Sequence, residues 1–215
     1  MKTARTILFI AFLFACGKSH AQEKINPEAR KLNDSAVGSR FSVKYNNPDQ
    51  ALEHSIDLLN QAIKIDTNYF TAYWNKFMSQ NDLKQYKNAE VTGKQLIKLR
   101  PLNASIKFMV GETFEKMGDT ITAAEYYRSS LSILDNILDT MKVSDKKNYK
   151  STMVNKAIVL ILLNQPKKGY GILKDLYNKE TSENYKQMLQ TFINFTRHDV
   201  IYGNDTSTLD YNGDH

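Results

Sequence analysis

Residues 104–135 read ASIKFMVGETFEKMGDTITAAEYYRSSLSILD. Two amphipathic helical patterns flank the Gly118-Asp119 dipeptide, which is a turn signal between periodic segments. In the first pattern Val110, Gly111 and Phe114 fall on one face. In the second, Ala123 and Tyr127 do the same one turn apart. Small residues at Gly111 and Ala123 let two antiparallel helices approach closely, and neighbouring aromatic and aliphatic side chains fill the space around them. Gly118 suits the left-handed conformation that ends a helix, and Asp119 or Thr120 can cap the next one.

The same pattern recurs along the chain. Ser55, Ala89 and Ala123 are spaced by 34 residues, as are Ala62, Leu96 and Ser130, and Ile65, Leu99 and Ile133. Phe77 and Gly111, and Thr67 and Pro101, share that spacing. A fixed period of this length is the signature of stacked helix pairs, none of which buries its apolar face alone. Pro101 stops helix continuation because it has no donor N–H, and Asn103 is a candidate cap for the following helix.

These residues resemble the tetratricopeptide (TPR) family. Val110-Gly111-x-x-Phe114 is similar to the first half of the TPR pattern and Ala123-x3-Tyr127 to its second half, with Lys107 where the family prefers tryptophan. The preceding unit offers Tyr73-Trp74, Ala89 and Pro101, but departs at Phe77, where the family has a small residue, and at Gly93, where it has an aromatic. The resemblance is specific over residues 55–138 and looser over the flanking helices. It implies an all-α fold, a TPR-like right-handed superhelix of antiparallel helix pairs (an α-solenoid), running over residues 48–200. Residues 22–47 are expected to supply a linker and a first helix. Residues 148–164 and 166–178 are expected to form a further pair, residues 182–196 a last helix, and residues 201–215 a disordered tail.

The resemblance also implies a concave groove lined by the first helix of each pair. The alignment places Thr71, Trp74, Met78 and Asp82 there from one helix and Ser105, Phe108, Glu112 and Lys116 from the next, with Ser151, Val154 and Ile158 from a third. Such a groove suits a helical or extended peptide; the competing reading is that Trp74 and Phe108 pack between adjacent helices. The Lys and Asn clamp by which chaperone partners of this family hold a terminal carboxylate is incomplete, since only Asn75-Lys76 is present.

The first residues read as an address. Lys2 and Arg5 precede the apolar run ILFIAFLFA at residues 7–15, the pattern of an export signal over residues 1–21 and too short for a bilayer span of about 20 residues. Leu13-Phe14-Ala15-Cys16 resembles a lipoprotein cleavage site, which would make Cys16 the point of lipid attachment, although Phe14 is bulky for that motif. Ser19-His20-Ala21 followed by Gln22 is the alternative site, giving a soluble product. Cys16 is the sole cysteine, so no internal disulfide forms. The whole chain is similar to small TPR proteins exported by Bacteroidetes-type bacteria.

Chemistry-bearing motifs are absent. The net charge is +6, two of which are Lys2 and Arg5, and the remainder is dispersed, with isolated basic doublets at Arg30-Lys31, Lys146-Lys147 and Lys167-Lys168 in the body. Nucleic-acid binding calls for a clustered patch or a recognisable module. The histidines His20, His54, His198 and His215 have no metal-ligand spacing, and no nucleophile motif or phosphate loop is found. The expectation is therefore a non-enzymatic scaffold with no cofactor and no metal, which binds a protein or peptide in the periplasm or, through its lipid, at a membrane. The alternative expectation is an immunity protein that neutralises a secreted toxin.

Overall fold

The computed structural model describes residues 25–40, 47–142 and 145–203. Every regular element among them is helical: α1 (Pro27–Arg40), α2 (Pro48–Ile65), α3 (Phe70–Asp82), α4 (Tyr86–Leu99), α5 (Ala104–Lys116), α6 (Thr120–Thr140), α7 (Lys146–Leu162), α8 (Pro166–Lys179), α9 (Glu183–Asn194) and α10 (Arg197–Tyr202). The expected all-α array of consecutive helix pairs is observed. The export segment with Cys16, and residues 204–215 of the expected tail, lie outside the described residues. No described helix is long and apolar enough to cross a membrane.

Two compact units are present, one ending at Ala123 and the other beginning at Ala124, so the division falls inside α6. In the first unit, α1 and α2 pack through Ala29, Ala36, Leu59 and Ala62 against Tyr69 and Ala72 at the start of α3. The small residues explain the closeness, since an alanine adds little bulk between helix backbones. The 34-residue positions behave as a set. Ser55, Ala89 and Ala123 are fully buried, as are Ala62, Leu96 and Ser130, whereas Ile65 is exposed and Leu99 and Ile133 are half-buried.

Helix ends follow local chemistry. The Asn47 side chain accepts from the Asp49 N–H at 2.9 Å, with Pro48 in the first helical position of α2. Asn103 caps α5 through the Ile106 N–H at 3.1 Å. Of the two candidates before α6, Asp119 is the cap: its carboxylate accepts from the Thr122 N–H at 3.0 Å, and Thr120 is already helical.

The turns inside α3/α4, α5/α6 and α7/α8 have one backbone design. Lys84, Gly118 and Asn164 all have positive φ, at 58°, 85° and 57°. Each donates its N–H three residues back, to Asn81, Glu115 and Ile161. The next N–H reaches five residues back, from Gln85 to Gln80 (2.8 Å), Asp119 to Phe114 (3.0 Å) and Gln165 to Leu160 (2.9 Å). This is the Schellman motif, which satisfies carbonyls left open at a helix end. Lys84 is 34 residues before Gly118, so the turn repeats with the sequence period.

The two departures from the TPR pattern compensate each other. A Cβ on Gly93 would lie 3.0 Å from Phe77 Cε2 and 2.6 Å from Val110 Cγ2. The Phe77 ring therefore occupies the space that an aromatic at position 93 would fill. One repeat later the order reverses, with the small residue at Gly111 and the aromatic at Tyr127, both buried. Between Phe77 and Gly93 the volume is conserved while the positions exchange, which cores tolerate well.

The second unit departs from expectation at its end. Instead of one last helix over 182–196, α9 stops at Asn194 and a separate helix, α10, follows. Thr196 and Asp199 form a capping box at its start. Helix α10 runs through Tyr202, so Ile201 and Tyr202 are helical and not part of a tail, and Ile201 is only 2% exposed. The corner is fixed by the Tyr170 hydroxyl, which donates to the Phe195 carbonyl at 2.6 Å.

Candidate functional site

The positions expected to line a groove divide into two groups. On α3, Thr71 is exposed and Trp74 and Met78 are half-buried. The Trp74 indole stacks on the Phe70 ring at 6.1 Å, and the Arg100 guanidinium lies 3.6 Å from the centroid of the same Phe70 ring, a geometry favoured by the ring quadrupole. Asp82 is engaged in an ion pair with Arg40 at 2.7 Å. On α5, Glu112 and Lys116 are half-buried, but Ser105 and Phe108 are buried, Phe108 at 2% exposure. Of the two aromatic anchors, Phe108 thus takes the packing role and only Trp74 keeps surface for a partner. On α7, Val154 and Ile158 are likewise buried and Ser151 is half-buried.

Polar side chains that the repeat pattern did not single out join the helices of this first unit. Asn75 Nδ2 donates to Asn33 Oδ1 at 2.8 Å, Thr92 Oγ1 to Gln80 Oε1 at 2.7 Å, and Thr113 Oγ1 to Asn81 Oδ1 at 3.0 Å. Except for Asn75, which is half-buried, all are buried, so each pair satisfies groups whose desolvation would otherwise destabilise the fold. Lys76, on the same helix, is half-buried, and its desolvation lowers its pKa from the usual lysine value.

The repeat-signature residues hold the scaffold. Ala89, Phe114, Ala123 and Tyr127 are buried, Gly111 with them, while Gly118 and Pro101 sit in the exposed turns. No protein-family model matches the chain, and no curated protein matches it. Among the described residues, no group of three histidine, cysteine or acidic side chains is placed to hold a metal ion.

A second feature lies wholly in the second unit. Glu180, 7% exposed, accepts from Lys150 Nζ at 2.6 Å and from the N–H groups of Thr181 and Ser182 at 2.8 and 2.9 Å. The lysine contact leads these influences, and together they lower the carboxyl pKa to about 2. This one side chain ties α7 to the junction between α8 and α9. Burial, with the nearby Glu180 charge, pushes the Tyr185 hydroxyl up to about 12. The Lys150 ammonium lies 5.5 Å from the Tyr185 ring centroid. Beside Lys150 is a cavity of about 400 Å³ at the ends of α6 and α8 and the start of α7. Sequence reasoning missed it because its lining comes from three separated segments, one of them the stretch after Leu138 where the repeat period breaks.

Proposed function

We propose that the protein is a non-catalytic scaffold of the TPR type, exported to the bacterial cell envelope, which holds a protein or peptide partner against the exposed face of its first helices. The observation that carries this reading is the repetition itself: buried small residues at Ala89 and Ala123 and the same left-handed turn at Lys84, Gly118 and Asn164. Arrays of this kind present helix faces in series, a geometry suited to extended or helical ligands. Thr71, Trp74 and Met78 supply a mixed polar and aromatic face on α3, and aromatic and methionine side chains are favoured at contact surfaces. The basic start, the apolar run at 7–15 and Cys16 support export and a lipid anchor.

Crosslinking in the native cell followed by affinity capture tests the reading. One dominant envelope protein is expected, and Trp74→Ala combined with Met78→Ala should release it while leaving the helical circular dichroism unchanged. Phe108→Ala is unsuitable for this purpose, since that ring is core. A specific partner retained through the double change would overturn the α3 face as the binding surface. Mass spectrometry of the mature amino terminus tests the anchor: a diacylated or triacylated Cys16 supports it, and an unmodified Gln22 start excludes it.

A further inference from the structure

We propose that the second unit contains a binding site for a small amphipathic anion, an apolar chain carrying one carboxylate, in the cavity bounded by α6, α7 and α8. The inference concerns a different surface from the α3 face and stands or falls independently of it. The cavity of about 400 Å³ lies within the range of about 300–1,000 Å³ common for small-molecule sites. Leu138, Met141 and Leu176 give it an apolar lining, joined by the ring of Tyr149, which is 46% exposed. Among the described residues the rest of the lining is Lys142, Lys150 and Lys179, with no carboxylate.

The charge balance selects the ligand. Lys150 is anchored by Glu180 at 2.6 Å and Lys179 by Asp175 at 2.7 Å. Lys142 is exposed and has no ion pair among the described residues. Among the described residues, one positive charge thus remains without an ion-pair partner beside a carbon-rich lining. Lys142 and Lys179 also sit at the carboxyl ends of α6 and α8, offsetting carbonyl dipoles that would repel an anion, while the amino end of α7 is already capped by the Asp145 carboxylate and adds no attraction. A cation would be repelled by the uncompensated Lys142 ammonium. A neutral chain would leave Lys142 without a counter-charge. An apolar chain with a single negative head satisfies both the lining and the lysine, its chain among Leu138, Met141 and Leu176 and its carboxylate beside Lys142.

Isothermal titration of the full mature chain with decanoate, below its micelle concentration, is the test. Saturable one-to-one binding is expected, with decyltrimethylammonium and acetate both failing to bind. Lys142→Glu should weaken decanoate about tenfold or more without lowering the melting temperature, because Lys142 is exposed. Leu176→Trp, which fills the cavity, should abolish binding in a chain that retains its helical signal. Decanoate binding that is absent or indifferent to Lys142→Glu would overturn the proposal, as would equal binding of the cationic amphiphile. Saturable binding of an acidic leucine-containing peptide without binding of decanoate would assign the cavity to a protein partner and overturn it too.

Discussion

The helix pairs α3/α4 and α7/α8 share a turn but solve the packing between their helices differently. In α3/α4 the tight point is Gly93, which faces the Phe77 ring and Val110 side chain; Ala89, four residues earlier, carries its Cβ without strain and is fully buried. In α7/α8 the tight point moves to Gly169, at the position equivalent to Ala89. A Cβ there would lie 2.5 Å from the Ala157 carbonyl oxygen and 2.6 Å from Ile161 Cγ1. The first pair is limited by side chains and the second by backbone. A second contrast sits at equivalent positions of the first helices. Asn75 is hydrogen-bonded to Asn33, whereas Asn155 is 0% exposed and neither atom of its side-chain amide has a partner among the described residues. One backbone register therefore supports two different interiors, one joined by polar side chains and one carrying unmet polar groups.

Mutations can break this contrast, and the largest effect is expected at Phe77. Phe77→Ala should cost about 3–5 kcal/mol in denaturant unfolding, because a fully buried ring leaves a cavity beside Gly93 that the backbone cannot close. A loss below about 1 kcal/mol would show that the ring does not fill that space.

Gly169→Ala comes next, at about 1–3 kcal/mol of overpacking partly offset by the better helix propensity of alanine. Gly171, two residues on in the same helix, has nothing within 4 Å of a built Cβ. Gly171→Ala should therefore stabilise the protein by about 0.5–1 kcal/mol. Thermal melts of the two variants should move in opposite directions; a shift of the same sign would contradict the backbone contact at Ala157.

The asparagines should also diverge. Asn75→Leu strips the Asn33 carbonyl of its donor and should destabilise by about 1–2 kcal/mol, while Asn155→Leu removes an unmet buried amide and should be neutral or stabilising by about 1 kcal/mol. Equal losses in both would mean that Asn155 is satisfied in solution.

The most localised effect is pH-dependent. The folded Glu180 pKa, about 2, lies below its ordinary value of 4.5, so its contribution is present above about pH 4.5 and is lost as pH falls toward 2. The difference in melting temperature between the parent chain and Glu180→Gln should shrink across that window, and a constant difference would remove the carboxylate from the account.

The sequence period located the elements well because two of its three series, through Ala89 and through Leu96, are residues the helices bury. Ala89, Leu96, Ala123 and Tyr127 are spaced as the packing requires, and Asn103 and Pro48 act on their own neighbours. What was illegible depends on long-range geometry. Lys84 and Asn164 adopt the same turn as Gly118 although only the glycine advertises it, because the backbone hydrogen bonds, and not the side chain, hold the conformation. Phe108 and Trp74 stand at related positions, and nothing local distinguishes the buried ring from the half-exposed one. The lysine-lined cavity joins residues from 138 to 179 that share no spacing.

The turn at Lys84, Gly118 and Asn164 carries a broader consequence. A lysine, a glycine and an asparagine serve there interchangeably, so selection can rewrite the letters while the hydrogen-bond scheme persists. At these turns the repeat is written in amide and carbonyl pairing and not in side chains, so a substitution there is tolerated as far as it leaves that pairing intact.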